Sequence, residues 1–380
     1  MFKRSIEPIV KRFAEIYPVV GITGPRQSGK TTLARMLFPH LPYVNLENLD
    51  IRIQAQNDPR AFLARYQTGG IFDEIQHVPE LLSYLQQIVD ESTEKGRFVI
   101  TGSQNFAISQ HISQSLAGRI GMITLLPLSL LELSMPSDIT DAIFKGSYPG
   151  LYQNNMQPVE FYPSYIQTYL ERDVRQLKNI ENLGRFQNFV KLCAGRIGQV
   201  VNYSSLAQDA DVSHTTVKQW LTILEASYLI FLLQPYHHNF SRRLVKNPKI
   251  YFYDTGLACS LLGLEQENQI DTHYLKGSLY ENLVILEILK GRLNKGLPAH
   301  LYFWRDLTGH EVDLIAEWAG ELKAIEIKTS TTFQPTFVKN INYFNTLAAH
   351  SKGYLIYMGA EAGIYLNNSL VPLRNIHEFL

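Results

Sequence analysis

Gly24-Pro25-Arg26-Gln27-Ser28-Gly29-Lys30-Thr31 is the stretch that decides the fold, because it has the spacing G-x-x-x-x-G-K-[ST]. The β-branched run 17–23 before it predicts a buried strand, and the run 32–38 after it predicts a helix that ends at Pro39. In such a turn the glycines let backbone N–H groups curl around phosphate oxygens, and the following helix points its positive end at them. The segment and the adjoining Thr32 are therefore predicted to bind ATP.

The apolar strand 69–74 ends in two carboxylates, Asp73 and Glu74. Both are expected to act on the same nucleotide. We expect the Lys30 ammonium group to reach the β- and γ-phosphates and the Thr31 hydroxyl to bind Mg²⁺. Asp73 is predicted to hold the magnesium ion through water, and Glu74 to orient and deprotonate the attacking water. Taken by itself, 69–74 could also be an ordinary acidic strand end.

A further strand is predicted beside this one. The run 79–91 has the apolar spacing of an amphipathic helix, and 97–101 after it reads as a strand that leads into Gly102-Ser103-Gln104. We expect Ser103 to sense the γ-phosphate, with Gln104 as the second choice. A simple helix cap is the alternative role for this position.

Six segments of this first part resemble one known family. They are GPRQSGKTTLA (24–34), YVNLEN (43–48), GGIFDEIQHVPEL (69–81), VITGSQ (99–104), LAGRI (116–120) and LLPLSLLEL (125–133). They resemble the bacterial and archaeal AAA-type P-loop ATPases that carry a C-terminal nuclease-like domain, and with later segments the similarity covers nearly the whole chain. The resemblance implies a homo-oligomer, because in such ATPases an arginine after the sensor strand often completes a neighbour's active site. Arg119 matches that position, and a structural salt bridge is its alternative role.

The middle of the chain has the spacing of a helix-turn-helix over 203–226, with Ser213 as the N-cap of the second helix. The strand-like run 228–234 could form a wing. A helix that reads DNA presents basic and amide side chains to groove edges, and this one offers Lys218 and Gln219. A purely structural winged helix is the alternative.

Two other features of the middle region have open roles. The run 241–249 is the most basic in the chain and could hold phosphates, although a solvated loop is the commoner explanation. The family resemblance implies that Arg172 and Asp173 belong to a family element, and an ion pair within the domain is the default role for them.

The last part of the chain reads as a helix containing 277–284 followed by strands. The strands are predicted at 301–304, 311–316, 324–328 and 354–357. An Asp that closes one strand, followed by Glu-x-Lys on the next, resembles the metal site of the PD-(D/E)xK nuclease superfamily. Asp313, Glu326 and Lys328 match that pattern, and Glu281 matches a further metal-ligand position. Asp313 and Glu326 would then meet across a divalent ion, and Lys328 would orient water or stabilise the charge on the attacked phosphate.

Composition limits the possible partners. Lysine and arginine total 35 and aspartate and glutamate total 35, so no overall positive field draws the chain to nucleic acid, and a nucleic-acid surface must be local. Cys193 and Cys259 stand in unrelated contexts and are expected to be reduced core residues. No run is apolar for long enough to cross a bilayer and the first residues lack a signal-peptide core, so we expect a cytoplasmic protein without a membrane partner.

The predicted fold is α/β with three parts. Residues 1–135 form an AAA-type P-loop domain with a parallel sheet, 136–250 a helical region with a winged helix-turn-helix, and 251–380 a PD-(D/E)xK nuclease-like domain. The predicted function is Mg²⁺-dependent ATP hydrolysis that remodels or translocates nucleic acid, DNA more than RNA. An ATP-gated switch for protein partners, with an inactive nuclease-like scaffold, is one alternative. A magnesium-dependent nuclease controlled by ATP is the other.

Overall fold

The computed structural model of the protein describes residues 2–103, 115–169, 182–236, 245–348 and 350–379. Gln104, Arg172, Asp173 and the first four residues of the basic run 241–249 lie outside them. Among the helices of the described ranges, none has both the length and the apolar character needed to cross a membrane. Both cysteines are buried free thiols, as predicted.

A parallel sheet organises the first part of the chain. Its strands are β1 (Val19–Thr23), β2 (Tyr43–Asn45), β3 (Gly70–Asp73), β4 (Phe98–Gly102) and β5 (Ile120–Thr124). They lie in the order β2-β3-β4-β1-β5, and every pairing between neighbours is parallel, which confirms the predicted parallel sheet. The inner strands β1, β3 and β4 are buried along their whole length, which explains their continuous apolar sequences.

Helices cover this sheet, and the carboxyl ends of its strands share one edge. The helices are α1 (Glu7–Ile16), α2 (Lys30–Leu37), α3 (Leu49–Asn57), α4 (Pro59–Ala64) and α5 (Leu81–Asp90), with a 3₁₀ turn at Ile75–His77. Because β1, β2, β3 and β4 run in the same direction, the residues after each strand meet at that edge. The polar residues predicted from separate motifs are thereby gathered in one place.

The middle region is helical. Its helices are α6 (Ile139–Lys145), α7 (Pro149–Gln153), α8 (Pro158–Tyr169), α9 (Leu183–Ala194), α10 (Tyr203–Asp209) and α11 (His214–Ala226). The turn between α10 and α11 contains Asp211 with φ 52°, and the Ser213 hydroxyl accepts a hydrogen bond from the Thr216 N–H at 3.0 Å. The predicted helix pair and its N-cap are therefore both present.

A second sheet of eight strands fills the rest of the chain. They are β6 (Ile230–Pro235), β7 (Lys249–Phe252), β8 (Leu301–Arg305), β9 (Glu311–Trp318), β10 (Glu321–Lys328), β11 (Ser351–Tyr357), β12 (Gly363–Tyr365) and β13 (Asn368–Pro372). The order is β12-β13-β11-β10-β9-β8-β6-β7. The four strands predicted for this part are confirmed as β8 to β11. Since β6 pairs with both β7 and β8, this sheet crosses residue 250, where the sequence placed a domain boundary.

The remaining helices pack around this second sheet. They are α12 (Thr255–Leu261), α13 (Gln269–Thr272), α14 (Lys276–Asn294), α15 (Lys339–Leu347) and α16 (Ile376–Phe379), with 3₁₀ turns at Pro335–Val338 and Leu373–Asn375. One hydrophobic core runs through the helical region and this sheet, from Leu126 to Ile376. The helical region therefore packs as one body with the C-terminal sheet.

A buried ion pair attaches α14 to the loop that follows β5. The Lys290 ammonium group donates to Glu287 Oε1 at 2.9 Å and to the Leu128 carbonyl at 2.7 Å. Glu287 Oε2 accepts the Leu130 N–H at 2.8 Å. Both charged side chains are at most 3% exposed. The loop 125–133 is thus bonded to the C-terminal part of the chain through its backbone.

This ion pair gives a stability prediction. Lys290→Met leaves the Glu287 carboxylate buried without its cation, and we expect a loss of about 3–5 kcal/mol in the free energy of unfolding. Chemical denaturation followed by circular dichroism measures it. Lys276→Met is the matched control, because Lys276 begins the same helix and its pair with Asp271 is exposed, so its removal costs about 0–1 kcal/mol. Equal losses in the two variants would contradict the prediction.

Candidate functional site

The turn between β1 and α2 has the backbone shape of an anion cradle. Gly24, Gln27 and Gly29 all have positive φ, at 142°, 60° and 96°. A Cβ on Gly24 would lie 2.1 Å from the Leu125 carbonyl oxygen, so only glycine fits there. Successive residues of this kind turn backbone N–H groups towards a common point, which suits phosphate oxygens.

Lys30 is the first residue of α2 and lies across the mouth of this turn. Its ammonium group is buried and donates to the carbonyl oxygens of Gly24 at 3.0 Å and Pro25 at 2.8 Å. A buried cation needs such acceptors, and bound phosphate oxygens would supply stronger ones. Its position supports the predicted contact with the phosphates.

Three hydroxyl groups converge on the Asp73 carboxylate at the end of β3. Thr31 donates to it at 3.0 Å, Tyr43 donates at 2.8 Å, and Thr101 of β4 donates as well. Thr31 and Asp73 thus present adjacent oxygen atoms, and oxygen donors are what Mg²⁺ prefers. These two residues fit the predicted ion, which on binding would neutralise charge on the phosphates.

Glu74 follows in a left-handed conformation, with φ 56°, and its carboxylate turns towards β4. It accepts hydrogen bonds from the Ser103 hydroxyl at 2.9 Å and from the Gln76 amide. Burial by itself raises the pKa of Glu74, but the charge of Lys30 and the bonds from Gln76 and Ser103 outweigh it, so the pKa lies below its ordinary value. The group is therefore ionised at neutral pH, which a base for water requires.

A cavity of about 540 Å³ opens over the turn, and the helical region forms its far wall. Besides the P-loop residues it is lined by Phe2, Arg4, Met36, Gln153, Tyr165 and Thr168. Apart from Met36, which lies in the predicted helix after the turn, the sequence motifs gave no sign of these residues, because they are far from the turn along the chain. The nucleotide site is therefore shared between the first part of the chain and the helical region.

Arg4 is the most constrained of these unpredicted residues. Its guanidinium group donates to the Ser28 carbonyl of the turn at 2.8 Å and to the Leu126 carbonyl at 2.6 Å, and it pairs with Glu132 at 3.2 Å. A segment that precedes the first strand thereby fixes the turn against the loop 125–133. No motif marks an isolated arginine near a chain start.

Arg119 lies at the opposite edge of the sheet. It precedes Ile120, which pairs with Val19 at the start of β1, whereas the turn follows the end of β1. The two edges are roughly 16 Å apart, for five residues at about 3.3 Å each. Arg119 pairs with Asp90, with Nη2 and Oδ2 at 3.0 Å. In the single chain it therefore makes the salt bridge that was the alternative role, and action on a neighbour stays a prediction.

The C-terminal residues predicted to form a metal site are brought together. Lys328 donates to Glu326 Oε1 at 2.7 Å, and the Asp313 carboxylate accepts the Ile327 N–H at 2.8 Å. Burial, reinforced by the charge of Asp313, raises the pKa of Glu281 to about 7 and that of Glu326 to about 8. The four predicted residues thus lie close enough together for their charges to interact.

A second lysine belongs to this cluster, and the sequence analysis placed it in the basic run 241–249. Lys249 is 2% exposed and pairs with Glu281 at 3.3 Å and with Glu311 at 2.5 Å. Lys249 therefore belongs neither to a phosphate-binding run nor to a solvated loop, the two roles left open for 241–249, because the strand β7 turns it into the interior. In the ranges that the structure describes, no three His, Cys, Asp or Glu side chains are arranged to hold a metal ion. Both carboxylates are paired with lysines in this arrangement, and the divalent metal site stays a prediction.

Comparison with known proteins supports the nucleotide-binding part of the chain. The AAA domain family matches residues 17–134, and two domains of unknown function, DUF8612 and DUF4143, match 136–268 and 276–376. The uncharacterized protein Rv2008c of Mycobacterium tuberculosis is 31% identical over 335 residues, which are 87% of this chain and 74% of that protein.

Two more distant matches were also found. An uncharacterized protein of Haemophilus influenzae is 22% identical over 341 residues, which are 80% of this chain and 81% of that protein. Among solved structures, the Walker-type ATPase PABY2304 of Pyrococcus abyssi matches with 15% identity and a TM-score of 0.47. That match covers 69% of this chain and 96% of the other.

The geometry of Glu74 and Lys30 predicts different defects when each is replaced. Glu74→Gln keeps the hydrogen bonds near the carboxylate but removes the base, so we expect nucleotide to stay bound while turnover falls by about 10²–10⁴-fold. Lys30→Ala removes the phosphate contact, so we expect binding to be lost. Binding of a fluorescent ATP analogue and single-turnover hydrolysis measure the two effects. Near-normal turnover in Glu74→Gln would exclude Glu74 as the base.

Proposed function

The chain belongs to the family of the uncharacterized mycobacterial protein Rv2008c and is an ATPase with an AAA domain, and we propose that it uses ATP hydrolysis to remodel or translocate nucleic acid. One contact carries this proposal. The Tyr228 hydroxyl, just after helix α11, donates a hydrogen bond to Thr23 at 3.1 Å. Thr23 ends β1 and directly precedes Gly24, the first residue of the phosphate-binding turn.

The contact is placed to transmit movement. Tyr228 is buried, has φ 55°, and follows α11 after a single residue, so it is packed directly beside the end of that helix. Thr23 is held on its other side, at 3.3 Å from the Ile123 carbonyl and 3.4 Å from the Thr124 hydroxyl. A displacement of α11 would therefore reach the turn through a short, packed path.

The exposed face of α11 has the chemistry of a nucleic-acid surface. His214, Thr215, Lys218, Gln219 and Thr222 are all exposed, at the spacing of one helix face. Hydroxyl, amide and basic groups are those that contact phosphates and base edges. The nearby carboxylates of Asp209 and Asp211 pair with Arg196 and Arg185, which offsets their repulsion of phosphate.

The proposed cycle uses residues on both sides of the cavity. Lys30 and the turn hold the phosphates, and Glu74 takes the proton of the attacking water. ATP in the cavity would touch both the turn and the helical region, where Tyr165 and Thr168 line the wall. Loss of the γ-phosphate would change those contacts and, through Tyr228, the position of α11. In this proposal the protein acts as a homo-oligomer, with Arg119 facing a neighbouring chain.

The proposal predicts that nucleic acid changes ATP turnover. We expect turnover to rise with at least one member of a panel of duplex, junction and single-stranded DNA and RNA, DNA more than RNA, and Lys30→Ala to abolish it. Lys218→Ala with Gln219→Ala should reduce the stimulation and leave basal turnover unchanged. The loss of one phosphate contact should lower the salt slope by about 1. Lys191→Ala, at an exposed position of α9, is the control that should change neither.

A different function would follow from a negative result. If no nucleic acid binds at moderate salt or alters turnover, the chain is better described as an ATP-gated switch for protein partners. The balanced net charge of the sequence is compatible with that class.

For the C-terminal cluster, we propose that the domain grips the strand without cutting it. Lys249 and Lys328 donate hydrogen bonds to Glu281 and Glu326, so a metal ion would have to displace both donors from the carboxyl groups that it binds. We expect the wild-type protein to leave DNA intact in Mg²⁺ or Mn²⁺, with or without ATP, on a denaturing gel. Cleavage that disappears in both Asp313→Ala and Lys328→Ala would instead establish the ATP-controlled nuclease.

A further inference from the structure

Arg26 occupies a special place in the phosphate-binding turn. It follows Pro25, whose carbonyl oxygen accepts the Lys30 ammonium group, so it lies at the point where the turn bends over the phosphates. Its side chain lines the same cavity as Lys30, Asp73 and Glu74. The sequence analysis treated it only as one of the binding residues.

Glu47 is the ion-pair partner of Arg26. Arg26 Nη2 and Glu47 Oε1 are 3.3 Å apart, and both side chains are partly exposed to the cavity. Glu47 comes from the segment after β2, which runs beside β3: the Leu46 N–H donates to the Asp73 carbonyl at 3.1 Å. The partner of Arg26 therefore stands at the carboxyl edge of the sheet, next to the catalytic carboxylates.

The guanidinium group also acts on the predicted base. Together with Lys30 and the two hydrogen bonds already described, the charge of Arg26 lowers the pKa of Glu74. It has the same effect on the pKa of His77, whose main cause is burial. The Arg26 guanidinium group therefore lies close enough to Glu74 for the two charges to interact.

We propose that Arg26 is a catalytic residue that leaves Glu47 when ATP binds and contacts the γ-phosphate during its transfer to water. In that step the water oxygen forms a bond to the γ-phosphorus, the bond from the phosphorus to the bridging oxygen of ADP breaks, and Glu74 takes the proton. Negative charge spreads over the transferred oxygens, and a guanidinium fork offsets it.

This assignment has a consequence for assembly. An arginine supplied within the same chain lets a single subunit complete the chemistry, whereas Arg119 could act only on a neighbour. The inference concerns ATP hydrolysis itself and is independent of the proposed action on nucleic acid.

Steady-state kinetics of Arg26→Ala test the assignment. We expect kcat to fall by about 10³-fold or more, the scale of an arginine finger, with little change in the affinity for a non-hydrolysable ATP analogue. Trapping of ADP with aluminium fluoride, which mimics the transferred phosphoryl group, should be lost. Arg26→Lys should recover only part of kcat, because an ammonium group lacks the bidentate fork. Arg12→Ala, at an exposed position of α1, is the matched arginine control.

Two results would overturn the assignment. One is a kcat of Arg26→Ala within about fivefold of wild type, or a change in KM alone. The other is turnover that rises steeply with protein concentration and is abolished by Arg119→Ala but retained by Arg26→Ala. Thermal melts by circular dichroism accompany each variant. If Arg26→Ala is unfolded, Arg26→Gln, which keeps length without charge, takes its place under the same criteria.

Discussion

The Asp73 carboxylate connects four elements of the nucleotide site. It ends β3 and accepts hydroxyl donors from α2, β2 and β4, through Thr31, Tyr43 and Thr101. A buried carboxylate is costly unless such donors satisfy it, so the side chain fixes the relative positions of these elements. Glu74 follows Asp73 and Lys30 precedes Thr31 in the chain, so the same contacts fix the positions of both residues. The arrangement of the predicted catalytic groups therefore depends on the hydrogen bonds that one buried carboxylate accepts.

The phosphate-binding turn is bonded to the rest of the chain at two places, just before its first residue and within it. Before it, Thr23 bonds to Tyr228 of the helical region, and within it the Ser28 carbonyl bonds to Arg4. Arg4 also donates to the Leu126 carbonyl in the loop 125–133. The backbone of that loop bonds in turn to Lys290 and Glu287 of α14. Buried polar networks of this kind hold elements in defined positions, because a broken bond leaves an unsatisfied group. The nucleotide site is thus physically continuous with both other parts.

The sequence could predict features whose information is local. The turn, the acidic pair and Ser103 are each encoded within a few residues by spacing or by a strand end, and the structure places Ser103 at Glu74. Tyr43, Arg4 and Tyr228 could not be found this way, since their roles arise from contacts between distant segments. Tyr228 and Thr23 are separated by 205 positions. For Arg119 the sequence fails in a different way. The motif gives its position in the chain but not the edge of the sheet on which it lies.

The C-terminal sheet shows why strand pairing escapes local patterns. A run such as Lys249–Phe252 looks like the end of a basic loop, but as β7 it buries Lys249 against Glu281 and Glu311. Replacing one member of such a buried pair is costly, whereas the intact pair adds little stability, so its effect is chiefly on geometry. Glu281 and Glu287 are six residues apart on α14, roughly 9 Å along the helix. Because α14 contacts the cluster through one and the loop 125–133 through the other, a rigid shift of that loop would also move the cluster.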